Sequence, residues 1–109
     1  MIDKSATDLV VALTASASCI VRMLVKLLNR KEKGKSPFSS EFGFERKKEV
    51  LLNFDKMLIA DEKKLGDIKE EMIKASQVAK EATSYTKMKS LKNDFVWISD
   101  SLQDISNLL

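Results

Sequence analysis

The chain has 109 residues and a formal net charge of +3, with 44% hydrophobic and 32% charged residues. This length suits a single domain, and the composition is that of a folded, helix-rich protein rather than a disordered one. The chain holds one cysteine and no histidine, so it lacks the residues for a zinc site, a histidine-dependent nucleophile or an internal disulfide. We therefore expect no enzyme activity, no metal, no cofactor and a cytoplasmic location.

Turn-forming residues are scarce, with three glycines and one proline, and this scarcity favours few and long helices. We predict one all-α domain over residues 1–109, folded as an antiparallel three-helix bundle that associates with itself. Its helices are expected at about residues 5–33, 44–82 and 87–107, with a loop at residues 34–43.

The most apolar stretch, residues 9–28, is predicted to be the central helix of the bundle or the seam of an oligomer. At about 100° per residue, leucine, valine, isoleucine and methionine occupy most of its circumference. One narrow stripe of the helix surface lacks these large apolar residues and consists of small, polar and charged ones: Asp8, Ala12, Ala15, Cys19, Arg22, Lys26, Asn29 and Lys33. The small residues there, with Ser16 beside them, would let a neighbouring helix come close. Cys19 itself is predicted to be a small core residue.

This stretch has other interpretations. A membrane span needs roughly 20 apolar residues with few charges, whereas Arg22 and Lys26 would each cost about 2.5–3.5 kcal/mol near the bilayer centre. A signal peptide is disfavoured because Asp3 and Asp8 oppose a basic N-terminal region. The second interpretation that we keep is a membrane-associated helix, with the basic residues 30–35 against anionic lipid.

The predicted end of the first helix is a basic patch of Arg30, Lys31, Lys33 and Lys35. A basic last turn complements the helix dipole, so solvation of the helix end is the simplest interpretation. Contact with an acidic partner surface or with anionic lipid is the alternative. Nucleic acid is not expected as a partner, because no helix-turn-helix with a basic second helix is recognisable. In the loop that follows, Phe38 and Phe42 are predicted to close the bundle end together with Phe44.

A heptad pattern begins at Phe44 and predicts one long second helix. One set of positions holds Phe44, Leu51, Leu58, Leu65, Met72 and Ala79, and the other holds Phe54, Ile68, Ala75 and Ala82. Because the apolar register continues across Gly66 and Asp67, we expect at most a kink there and no reversal. A helix of this length would overhang its neighbours, which favours association with a second chain.

Between Ala82 and Met88 the apolar register shifts by two residues, which predicts a turn within residues 81–86 and a third helix after it. Trp97 lies off the apolar seam of that helix, and we prefer packing within its own bundle to docking on a partner. The predicted partner interface comprises Leu13, Ile20, Leu24, Leu27, Leu51, Leu58, Phe95, Trp97, Ile98 and Leu102. Together these features indicate an interaction module, such as an adaptor, an assembly subunit or a small chaperone-like protein. Its partner would be a second copy or another helical protein.

Overall fold

The computed structural model describes residues 4–30 and 43–109, with side chains from residue 8 onward. Four helices occupy these ranges: α1 (Lys4–Asn29), α2 (Phe44–Ile59), α3 (Leu65–Ala82) and α4 (Lys89–Leu108). The described part contains no strand, so the all-α prediction is confirmed. The predicted number of helices is wrong, because there are four rather than three.

The predicted second helix is in fact two antiparallel helices, α2 and α3. Lys47, near the start of α2, places its Nζ 2.7 Å from Oε2 of Glu81, near the end of α3. In one continuous helix these residues, 34 positions apart, would be separated by roughly 51 Å. The chain therefore reverses in residues 60–64, where Lys63 donates from Nζ to the carbonyl oxygen of Ala60 at 2.5 Å. The prediction of an unbroken helix, kinked at most near Gly66, is wrong.

The four helices form an up-down-up-down bundle. α1 and α2 run antiparallel. Arg22 in α1 bonds to Asp55 in α2, and Asn29, which comes later in α1, bonds to Lys48, which comes earlier in α2. The turn at residues 83–88 joins α3 to α4, and these two helices form the most extensive pair. α1 also packs against α4 and closes the ring.

A single core takes residues at helical spacing from all four helices. Phe54 and Phe95 are its largest fully buried side chains. The alanines of α3 lie in it, so α3 has little side-chain bulk to hold its neighbours apart. The buried apolar residues are Ala17, Val21, Leu24, Leu28, Leu51, Phe54, Leu58, Ile68, Met72, Ala75, Ala79, Ala82, Leu91, Phe95, Ile98, Leu102 and Ile105.

The ends of the other helices agree in part with prediction. α2 begins at Phe44 as expected, after Gly43 in the left-handed conformation at φ 68°, where a side chain would be strained. α4 begins two residues later than predicted and ends one residue later, and the predicted turn before it is confirmed. α1 ends at Asn29 rather than residue 33, with the amide of Arg30 donating to the carbonyl oxygen of Leu27 at 3.2 Å. Phe38 and Phe42 lie outside the described residues.

α1 occupies a corner of the bundle, not its centre, so one of its faces meets solvent. It is also the longest helix, with 26 residues against the 16 of α2. Since Asp55 lies level with Arg22, the end of α2 lies level with about residue 18, and the N-terminal part of α1 extends past it. The overhang predicted for the second helix therefore belongs to α1, and the exposed Cys19 corrects the prediction that this residue lies in the core.

Candidate interaction surface

The outward side of α1 is a continuous uncharged surface, which we call the α1 face. Leu9 and Val11 are each 53% exposed and Met23 is 42% exposed, and smaller exposed residues lie between them. The α1 face comprises Leu9, Val11, Ala12, Ala15, Ser16, Cys19 and Met23. Exposed apolar residues that occur singly are normal on protein surfaces, but a contiguous group of them is a feature of interaction sites.

One edge of the α1 face is held against α2 by a polar cluster. The Asp55 carboxylate accepts a hydrogen bond from Oγ of Ser18 through Oδ1, and Nε of Arg22 donates to its Oδ2 at 3.0 Å. The Asp55 side chain is 12% exposed, whereas that of Arg22 is 58% exposed. The carboxylate is thus nearly buried between the helices while the guanidinium reaches water. A buried carboxylate needs such partners, and both lie on the same side of α1 at a four-residue spacing.

The other edge of the α1 face turns towards the rest of the bundle. Leu13, Ile20 and Leu27 recur every seven residues on the side of α1 opposite the polar cluster, and each is partly buried against the core. They belong to the predicted partner interface, and their partial burial leaves an accessible portion of each. We therefore find part of the predicted interface at the border of the α1 face.

Six other residues of the predicted partner interface lie inside the chain's own core. They are 0–1% exposed, so a partner could touch them only if the bundle opened; they are Leu24, Leu51, Leu58, Phe95, Ile98 and Leu102. Trp97 differs from them, since 53% of it is exposed on α4. The preference for packing Trp97 inside its own bundle is wrong, because its position on α4 lies away from the stripe that faces the core.

Charges border the α1 face along the chain. Asp8 is exposed at its N-terminal end, and Arg22, Lys26 and Arg30 are exposed towards its C-terminal end. Of the predicted basic patch, Arg30 is therefore solvent-exposed, while Lys31, Lys33 and Lys35 lie outside the described residues. From Asp8 onward, the charges of α1 are separated by sign, and the stretch between Asp8 and Arg22 is uncharged.

The composition of α1 also meets the length and polarity criteria of a membrane span over Asp8–Asn29. Core helices of soluble proteins and signal sequences meet the same criteria. In this bundle 33% of the most apolar window of that helix is buried. That fraction is low for a core helix, and it reflects the exposure of the α1 face.

The other features of the described surface are an ion-pair cluster on α3 and a cleft between α3 and α4. Glu70 and Glu71, adjacent in α3, both approach Lys74, whose Nζ lies 4.0 Å and 3.1 Å from their carboxylates. The hydrogen bond and the charge of Glu71 raise the pKa of Lys74 above its ordinary value. Within the described residues, no group of three or more cysteine, aspartate or glutamate side chains could hold a metal ion. A cleft of about 230 Å³ between α3 and α4 is lined by residues that include Lys80 and Asp100.

The prediction missed the role of Asp55, although a signal for it is present in the sequence. Asp55 stands between the core residues Phe54 and Leu58, where a carboxylate requires a donor. Ser18 and Arg22, four residues apart on one side of an apolar helix, form a matching pair of donors. The spacing of residues within α1 or within α2 does not reveal that these two helices pack against each other.

No protein-family model matches this chain, and no curated protein or solved structure is significantly similar to it.

Proposed function

We propose that this chain is a non-enzymatic protein–protein interaction module that acts through helix packing, as an adaptor, an assembly subunit or a small chaperone-like protein. The α1 face is the observation that carries the proposal. The chain builds a closed core from all four helices and still leaves this uncharged surface in water. Apolar surface beyond the needs of folding is available for a partner.

Covering the exposed apolar side chains of the α1 face would contribute favourable free energy to association. Burying a large aliphatic side chain contributes about 1.5–3 kcal/mol. Leu9, Val11 and Met23 are each about half exposed, so covering them would contribute roughly 2–4 kcal/mol in total. On α2, Leu52 and Ile59 lie about one turn before and one turn after Asp55, and both are exposed. They widen the apolar surface beyond α1.

A photo-crosslinking amino acid at position 23 tests the proposal in the cells that make the protein. We expect a discrete protein adduct on irradiation, because Met23 lies on the α1 face. The matched control is the same amino acid in place of Gln77, an exposed residue of α3, which should yield no such adduct. The proposal fails if position 23 yields no protein adduct, or if both positions yield the same pattern.

A membrane-associated function is the second candidate, and the membrane-span criteria met by Asp8–Asn29 favour it. In that case the α1 face would lie in the lipid interface, and Arg22, Lys26 and Arg30 would meet anionic head groups. Sedimentation with anionic vesicles, reduced by salt and absent with neutral vesicles, would support this candidate. Crosslinking from position 23 to lipid alone would support it as well. An interaction module should stay in the supernatant with both kinds of vesicle.

A further inference from the structure

The exposed charges of α1 suit a second copy of the same helix running in the opposite direction. Asp8 is at one end of the α1 face, and Arg22, Lys26 and Arg30 are towards the other. A parallel pair of α1 helices would bring the cations of both copies together, and like charges that face each other oppose association. An antiparallel pair would instead set the anion of each copy against the cations of the other.

Resting on the interaction function proposed above, we propose that the partner is a second copy of this chain and that the two α1 faces pack antiparallel about a twofold axis near Cys19. With the axis there, Asp8 of each copy lies level with Arg30 of the other, and Lys26 lies one turn away. Ala15 lies level with Met23, so a small side chain receives a large one. A twofold interface of this kind closes on itself and forms a dimer.

The small residues of the α1 face suit close packing of two helices. Ala12, Ala15, Ser16 and Cys19 are all exposed, and their short side chains let helix axes approach to about 8–10 Å. The larger Leu9 and Met23 lie towards the two ends of this small-residue region. Leu52 and Ile59 on α2 border the same surface, so a second copy would cover them as well.

Light scattering and crosslinking of the purified chain test the dimer and its axis. In detergent-free buffer we expect a species of twice the 12.3 kDa chain mass. A short bis-maleimide should join two chains through Cys19, because the axis brings both thiols together. The control is a Cys19→Ser, Ile73→Cys chain, whose single thiol lies on an exposed position of α3. This chain should dimerise and fail to crosslink.

Two substitutions of exposed residues locate the interface. Ala15→Glu adds a buried charge to the proposed dimer and should raise its dissociation constant at least about tenfold, the equivalent of about 1.4 kcal/mol. Ile73→Glu adds the same charge on α3 and should leave dissociation unchanged. Both positions are exposed in the single chain, and matching helical circular dichroism would verify that both variants fold.

Charge reversal tests the direction of packing. Among the described charges that border the α1 face, Asp8→Lys chains carry cations alone, and Lys26→Glu, Arg30→Glu chains keep Arg22 as their single cation. Each variant alone should dimerise at least about tenfold more weakly than the original chain. Mixing the two should restore dimers that contain one chain of each kind, because every anion then faces cations. In a parallel pair, each variant alone would instead dimerise about as tightly as the original chain, because like charges face each other in all three homodimers.

Four results would overturn the proposal: a monomer at every concentration, a dimer insensitive to Ala15→Glu, charge-reversal variants that each dimerise alone as tightly as the original chain, and no restoration on mixing. A monomer that binds anionic vesicles would overturn it in favour of the lipid candidate. Failure here is distinct from failure of the interaction function. If position 23 gives a discrete adduct in cells whose mass differs from that of two chains, the interaction function stands and the second copy does not.

Discussion

The polar cluster between α1 and α2 makes a quantitative prediction about stability. Asp55→Ala removes a nearly buried carboxylate and leaves the hydroxyl of Ser18, which is 5% exposed, without its acceptor. Losing a hydrogen bond to a charged group costs about 1.5–3 kcal/mol. The pair with Arg22 adds less than about 1 kcal/mol, because the guanidinium is largely solvated. We therefore expect Asp55→Ala to lower the free energy of unfolding by about 2–3 kcal/mol.

A double-mutant cycle isolates the bond between Ser18 and Asp55. Ser18→Ala alone should cost about 1–2 kcal/mol, and the double variant should cost little more than Asp55→Ala alone. The coupling between the two sites is then about 1–2 kcal/mol, measured by urea unfolding followed by helical circular dichroism. Arg22→Gln serves as the control and should cost less than about 1 kcal/mol. Additivity within about 0.3 kcal/mol would show that the two residues do not share a bond, and the reasoning would be refuted.

Three further predictions concern the fold. Gly66 is the second residue of α3, with nothing near its missing side chain, so Gly66→Ala should stabilise the protein by at most about 0.5–1 kcal/mol. Gly43→Ala, at φ 68°, should instead destabilise the protein by about 1–2 kcal/mol. Urea unfolding checks both. Leu58→Ala should lower the free energy of unfolding by about 2–5 kcal/mol. Its neighbour Ile59 is 56% exposed, so Ile59→Ala should lower it by less than about 1 kcal/mol. Equal losses for the two variants would contradict the assigned burial. Spin labels at positions 46 and 80 in a Cys19→Ser chain should lie close together, and a separation near 51 Å, about 1.5 Å per residue, would indicate a continuous helix.

The heptad pattern predicted the buried residues of α2 and α3 better than it predicted their connection. Leu51, Leu58, Ile68 and Met72 are all buried as the pattern requires. The pattern continues across residues 60–64 because the loop length happens to preserve the seven-residue spacing. The spacing of apolar residues indicates which side of each segment faces the core. It does not indicate whether the chain reverses between two segments. Leu65, which is 37% exposed, is the heptad position where the continuous-helix interpretation fails.

The candidate surface was visible in the sequence, where the apolar helix was interpreted as the centre of the bundle or the seam of an oligomer. Ala12, Ala15 and Cys19 share a stripe with Arg22 and Lys26, and the structure exposes that stripe. Small residues allow close packing in a core and at an interface alike, so their presence does not distinguish the two environments. The charged residues on the same stripe are the better guide, because an unpaired cation is rarely buried.

Asp55 also explains why α1 presents this particular face. A helix with leucine, valine, isoleucine or methionine on most sides can pack against a core in several rotations about its own axis. A rotation by one residue, about 100°, would carry Ser18 and Arg22 away from α2 and leave the Asp55 carboxylate buried without donors. Burying an unpaired carboxylate is far less favourable than exchanging one aliphatic side chain for another. The polar cluster therefore selects one rotation of α1, and the small residues of the α1 face point outward because the donors to Asp55 point towards α2.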